Sequence, residues 1–302
     1  MRAIVTGGAG FIGSHLVEAL VARDDEPLVL DNLARGRREY VPDGVELAER
    51  DVREPLEDVF ARFRPDVCFH LAAQADVRVS VARPAEDAAV NVLGTVHVLA
   101  AATAAGAKVV FSSTGGAIYG DVERPAVEDD PRLPVSPYGI AKLAGEEYLA
   151  GWNRIHGSRH VVLRFANVFG PRQDSGLEGG VVAIFLERMA AGEPTVIFGD
   201  GGQTRDFVYV DDVVGALLAA VGRDGGVFNV GTGEETSVNR LHELCRRVSG
   251  SGELPAHEPA RIGDALRSVL DPSRAARDLG WRTEVALEDG LRRTWDWTTR
   301  PR

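Results

Sequence analysis

With 302 residues, 44% of them apolar and 26% charged, the chain can bury the core of one large or two closely joined domains, which excludes a disordered or fibrous protein. A formal charge of −11 and a pI near 5.2 argue against a nucleic-acid partner, because binding a phosphate backbone needs clustered Lys and Arg. The two cysteines, Cys68 and Cys245, belong to no CxxC pair or metal-spaced cluster, so neither a disulfide framework nor a metal site is expected.

The chain opens on MRAIVTGGAGFIGS, in which the apolar, β-favouring Ala3-Ile4-Val5 runs into Gly8, Gly10 and Gly13 spaced as G-x-G-x-x-G. A strand feeding such a turn, with a helix over about Phe11 to Arg23 behind it, is a dinucleotide signature. The glycines give a tight turn, bare backbone for a pyrophosphate and close helix packing, and the helix N-terminus favours the phosphate charge. A second strand, Pro27 to Asp31, ends in an acid 18 residues after Gly13, near the spacing at which a carboxylate takes the adenosine ribose; Asp31 therefore argues for NAD over NADP. Met1-Arg2 leads straight into the first strand without a signal-type core, and no apolar run approaches the ~18 residues of a membrane span. A cytoplasmic protein with no membrane partner is expected.

Further strands are expected at Val45–Glu49, Asp66–Leu71, Lys108–Ser112 and His160–Phe165, with helices over about Glu86–Ala105 and Pro137–His156. Strands separated by helices predict right-handed crossovers, a doubly wound parallel sheet of α/β class, and a ligand crevice at the strands' carboxyl ends. Beyond Asn167 the pattern loosens. Helices at Val181–Ala191, Asp211–Val221, Val238–Val248 and Leu287–Thr298 and a strand at Gly226–Val230 predict a smaller, loop-rich α/β region, suited to the far wall of a cleft.

Tyr138 and Lys142 stand four apart on a predicted helix and so face the same way. Their helix follows the strand ending at Ser112-Ser113-Thr114, beside the expected nicotinamide position. A phenol titrates near pH 10, and bringing it to about 7 takes roughly 4 kcal/mol of preferential phenolate stabilisation. An adjacent ammonium and an oxidised nicotinamide together could supply that. Thr114 adds a hydroxyl able to bond the reacting oxygen.

A set of motifs then carries a resemblance over nearly the whole chain. They are TGGAGFIGSH (Thr6–His15), LDN (Leu30–Asn32), DVR (Asp51–Arg53), HLAAQ (His70–Gln74), NVLGT (Asn91–Thr95), SSTGGAIYG (Ser112–Gly120) and SPYGIAK (Ser136–Lys142). They continue with LRFANVFGPRQ (Leu163–Gln173), GDGGQTRDFVYVDD (Gly199–Asp212), FNVGTG (Phe228–Gly233) and LDPSRAARDLGW (Leu270–Trp281). The chain resembles the extended short-chain dehydrogenases/reductases of the NAD-dependent epimerase/dehydratase type, most closely the bacterial UDP-glucose 4-epimerases.

The resemblance implies a Rossmann NAD-binding domain over residues 1–166 and a nucleotide-sugar-binding domain over 167–302, some of whose elements return to the first. Tyr138 would be the base, Lys142 would hold the nicotinamide ribose and tune Tyr138, and Thr114 stands where many relatives have serine. The NAD site would also take Gly7, Gly10, Phe11, Ile12, Asp31, Asn32, Asp51, Val52, Leu71, Ala72, Ala73, Gln74, Asn91, Ser112 and Phe165. The UDP-sugar would meet Asn167, Gly180, Val181, Val182, Phe198, Arg205, Arg261 and Asp264, with the two arginines on the diphosphate. A homodimer joined through the helices Glu86–Ala105 and Pro137–His156 is implied, as is a small Ser268 beside the sugar's 2-substituent that would admit N-acetyl groups.

Alternatives remain. A uronate epimerase needs a donor for the C6 carboxylate, and Arg172 is the candidate; a decarboxylase is a further possibility. Dehydratases carry an Asp-Glu pair after the active-site hydroxyl residue, where this chain has Gly115-Gly116. A non-catalytic NAD sensor commonly lacks the Tyr or Lys, and both are present.

Overall fold

The structure, a computed structural model, describes residues 1–176, 180–260 and 265–300. Its frame is a seven-stranded, all-parallel sheet built from β1 (Arg2–Thr6), β2 (Glu26–Asp31), β3 (Glu46–Glu49), β4 (Val67–His70), β5 (Lys108–Thr114), β6 (Val161–Phe165) and the strand Gly226–Val230. The spatial order is Gly226–Val230, β6, β5, β4, β1, β2, β3. The chain winds outward through β2 and β3, then returns past β1 to continue the other way from β4, so a crevice opens where β1 and β4 lie side by side, Thr6 in register with His70. This is the expected doubly wound, Rossmann-like fold.

Both faces of the sheet are covered, which is why its strands read as continuous apolar runs rather than alternating ones. Ala3, Val5 and Val29 join one hydrophobic cluster, while their neighbours Ile4, Leu28 and Leu30 join another on the opposite face. A third cluster, with Phe169, Phe185, Ile197, Phe207 and Leu241, forms the core of a smaller body built on the helices Val181–Ala191, Val238–Ser249 and Leu287–Thr298. Within the second half, the helix Val210–Ala220 packs on the large sheet's core and the strand Gly226–Val230 completes its edge.

The helix expected over Glu86–Ala105 runs from Pro84 with a π-helical turn at Ala89–Leu93, within which Asn91 is buried. Contrary to the expectation that no run approaches membrane length, Pro84–Ala105 is long and apolar enough to cross a bilayer by length and composition. Here it lies against the helices Glu57–Phe63 and Pro137–His156, with Asp87 and Asn91 buried.

Candidate functional site

The glycine turn is held by backbone geometry. Gly7 sits at φ +70°, and a Cβ there would come within 2.8 Å of the Ala72 amide nitrogen, so the left-handed position falls one residue before the G-x-G-x-x-G run. At Gly13 a Cβ would stand 2.1 Å from the Gly7 carbonyl oxygen, so only glycine lets the helix α1 (Phe11–Ala22) pack on the turn. No side chain caps the start of α1, whose first amides are therefore left for a ligand.

A groove beside this turn is lined by Gly7, Gly10, Phe11, Ile12, Asp31, Asn32, Asp51, Val52, Leu71 to Gln74, Ser112, Tyr138, Lys142 and Phe165. Asp31, at the end of β2, accepts hydrogen bonds from the Ala9 and Leu33 amides, and burial raises its pKa against those bonds. Asp51 is held well below the usual carboxylate range, chiefly by Arg53, and also accepts a 2.8 Å bond from Asn32.

Asn91 stands behind the groove wall rather than in it. Its Oδ1 accepts from the Gln74 amide, and its Nδ2 donates to the Gln74 carbonyl and to Asp87 Oδ1. His70, buried at the end of β4, belongs to the same framework. The amides of Leu71 and Ala72 donate to Thr6 Oγ1, which lies 2.8 Å from His70 Nδ1, while His70 Nε2 meets Thr95 Oγ1 at 3.1 Å. Thr95 donates in turn to the Asn91 carbonyl. That chain assigns a neutral imidazole protonated on Nε2, and burial lowers its pKa to about 3, with help from the Lys142 charge.

Ser136 caps the helix Pro137–His156, accepting from the Gly139 amide, and Pro137 takes the first turn. One turn in, Lys142 is 3% exposed, with Nζ donating to the Ser112 carbonyl at 2.9 Å and lying 4.8 Å from the Phe111 ring centre. Burial pushes its pKa down to about 8 against the charges of Asp87 and Glu146.

A second cavity opens on the far side of Tyr138. It is lined by Thr114, Tyr138, Asn167, Gly180, Val181, Val182, Phe198 and Arg205, all anticipated from the sequence, and by Phe169, Phe185 and Gln203, which were not. Arg261 and Asp264 lie outside the described residues. At about 390 Å³, with the groove at about 310 Å³, the two spaces fall within the roughly 300–1,000 Å³ of ligand clefts. Phe11, Ile12, Ala75, Ser113, Tyr138 and Phe165 line both. Phe185 carried no motif signal; a helix position reached this wall only through packing.

Ser268 pairs in register with Arg205. A Cβ on Gly116 would lie 3.7 Å from Asn167 Oδ1 and 3.9 Å from both Ser268 Oγ and Thr114 Oγ1, so the three groups converge on one spot. Arg172 is elsewhere. Its guanidinium donates to Ser14 Oγ and Glu18 Oε1 on α1 and stacks over Tyr40, leaving the second cavity without the carboxylate donor that a uronate substrate would need from it. Among the described residues there is no group of three His, Cys, Asp or Glu side chains able to hold a metal, and both cysteine thiols are buried with their pKa pushed up.

Comparison with known proteins gives a consistent set of likenesses. The sequence profile of the NAD dependent epimerase/dehydratase family matches residues 3–231. The chain is 47% identical over 304 residues to UDP-glucose 4-epimerase of Mycolicibacterium smegmatis, covering 97% of each. It is similar to the crystal structure of UDP-glucose 4-epimerase from Thermotoga maritima with UDP-glucose, at a TM-score of 0.96, 46% identity and 98% coverage of both chains. It is also similar to the UDP-glucose 4-epimerase of Thermus thermophilus in complex with NAD, at a TM-score of 0.93, 46% identity and 99% coverage of both.

Proposed function

Because this chain belongs to the NAD-dependent epimerase/dehydratase family, we infer that the two joined cavities are the working parts of a UDP-glucose 4-epimerase, an isomerase interconverting UDP-glucose and UDP-galactose with NAD as cofactor. The observation that carries the reading is that Tyr138 borders both spaces, so one phenol can reach a cofactor on one side and a sugar on the other. The groove's residues fit a dinucleotide: bare backbone at the turn, uncapped amides at the start of α1, and the Asp31 carboxylate at the end of β2.

Held in this groove, NAD would supply reversible hydride transfer at C4 of the sugar, with no net redox change over the cycle. Tyr138 accepts the proton of the 4-hydroxyl, leaving a 4-keto sugar, and later returns that proton. Lys142 holds the nicotinamide ribose and, as an ammonium, favours the Tyr138 phenolate. Thr114 donates a hydrogen bond to the reacting oxygen. Between the two halves the ring turns over about its diphosphate link, which requires a grip on the diphosphate and a loose hold on the hexose. Arg205 is the only charged residue among the described residues lining the sugar-side cavity, which suits that division; Arg261 would join it at the phosphates. That no cation besides Arg205 lines this cavity among the described residues favours glucose over glucuronate.

We further propose a cytoplasmic homodimer. Leu93, Ile140 and Tyr148, on the two helices expected to pair, are 46%, 56% and 42% exposed, an apolar set that a second copy would cover. To test the activity, purified protein is denatured to release its nucleotide for chromatography against NAD and NADP, and native protein is followed by NMR with UDP-galactose. NAD and an approach to a UDP-glucose mixture are expected. Released NADP, or no interconversion with NAD present, would overturn the reading.

A further inference from the structure

Asp87 lies outside every role assigned above, yet it is 1% exposed at a point where a carboxylate is costly to bury. Its Oδ1 accepts from two amides at once, Gln74 Nε2 and Asn91 Nδ2, each at 3.0 Å. Among the described residues its Oδ2, equally buried, has no hydrogen-bond partner. Asn91 stands four residues beyond Asp87, on the same helical face, and this segment packs against the helix bearing Tyr138 and Lys142. A buried carboxylate with an uncommitted oxygen calls for a counter-charge, and a buried ammonium calls for the same.

The other charged and titratable groups on the elements packed around Lys142 are accounted for. Glu146, one turn along, is taken up by Arg164 and Ser113. His70 is neutral, His97 faces the Val52 carbonyl, Glu86 is paired with Arg83, Arg78 is exposed and paired with Asp76, and Lys108 sits at the opposite end of β5. We propose that Asp87 is a positioning residue for the reaction: it is the buried counter-charge of the Lys142 ammonium, and its Oδ1, held by Gln74 and Asn91, keeps this charge in place behind the groove. The proposal rests on the reading of Lys142 given above. Each group's protonation answers to the other: Lys142 lowers the Asp87 pKa against burial, and Asp87 raises that of Lys142 against burial. Losing the Asp87 charge therefore lets Lys142 shed its proton at lower pH, and the phenolate loses its stabilising neighbour.

The sequence makes a direct measurement simple, because only two of its 34 basic residues are lysines, Lys108 and Lys142. In NAD-loaded protein carrying 13C-lysine, two Cε signals are followed against pH, with Lys108→Arg assigning them. Lys142 should titrate near pH 8 in the wild type and about one unit lower in Asp87→Asn, the usual effect of removing one nearby opposite charge. Lys108 should stay put, and Asp87→Glu should bring Lys142 back. The alkaline limb of kcat for UDP-galactose should move down with Lys142. A Lys142 signal unmoved in Asp87→Asn overturns the proposal, even where kcat drops, because a hub serving only Gln74 and Asn91 would leave that titration alone. Should Asp87→Asn fail to fold, Asp87→Ser replaces it; failure of both assigns Asp87 to the fold and equally refutes the proposal. Since the titration needs no substrate, a protein that shows the shift but does not interconvert the sugars refutes the activity and not the role of Asp87.

Discussion

Arg164 and Glu146 meet by three hydrogen bonds, Nε to Oε1 at 2.9 Å and to Oε2 at 3.2 Å and Nη2 to Oε2 at 2.6 Å, and neither side chain is more than 3% exposed. The pair ties β6 to the helix of Tyr138. Ser113 donates to the same carboxylate at 2.6 Å, and Arg164 reaches Tyr119 and the Glu128 carbonyl, so β5 is tied in as well. Thr114, one residue beyond Ser113, and Tyr138 thus take their separation from this buried ion pair.

Removing one partner of such a pair strands the other as a buried, uncompensated charge. Glu146→Ala should lower unfolding stability by about 3–5 kcal/mol, read from urea or guanidinium titration. A loss below about 1 kcal/mol, the range of an exposed pair, would contradict the role given to it.

Tyr138→Phe should abolish epimerisation while leaving NAD bound, because it deletes the proton acceptor and almost no volume. Thr114→Val should cost less, on the order of 10²-fold in kcat. Turnover of UDP-galactose and the nucleotide content of each variant are the measurements; a Tyr138→Phe enzyme as active as the wild type would refute the proposed chemistry.

Acid should destabilise the protein through its buried imidazoles. Burial lowers the His70 pKa to about 3 and the His160 pKa to about 4, each from 6.5. Both folded-state values lie below the unfolded one, so as pH falls below 6.5 the unfolded chain takes up protons that the native state refuses. Stability is therefore lost from pH 6.5 downward and the loss levels off near pH 3 to 4, at on the order of 1 kcal/mol per unit of pH for each histidine. Urea midpoints between pH 6.5 and 4.5 should fall, and His70→Asn should flatten that slope. An unchanged slope would show that His70 does not titrate with unfolding.

Light scattering at micromolar concentration should return twice the 32.4 kDa of one chain. Ile140→Glu, placing a charge among the exposed apolar side chains of the paired helices, should give the single-chain mass. A wild type already at 32.4 kDa would rule the dimer out.

Substrate breadth should follow Ser268, whose Oγ converges with Asn167 and Thr114 around Gly116. The wild type should epimerise UDP-GlcNAc as well as UDP-glucose, and Ser268→Tyr should shift the kcat/KM ratio towards UDP-glucose by about 10- to 200-fold, the span of size discrimination in a pocket. A ratio that does not change removes the basis of the breadth.

Much of this was legible in the sequence because it is written locally. Apolar runs between turns mark strands covered on both faces, the spacing from Gly13 to Asp31 measures one helix plus a strand, and four residues from Tyr138 to Lys142 put two side chains on one face of a helix. Even the wall residues Asn167 and Arg205 came from short motifs. What the sequence could not determine is which buried charges face one another. Arg164 finds Glu146 across 18 residues, Asp87 is buried with its Oδ1 taken up by Gln74 and Asn91, and Arg172, in a motif that pointed to the sugar, is claimed by Ser14, Glu18 and Tyr40 more than 130 residues away. Periodicity says which face of an element is apolar, but not which polar group of another element that face will meet. That is settled when packed elements bring charges out of water, where each must find a partner or leave the core.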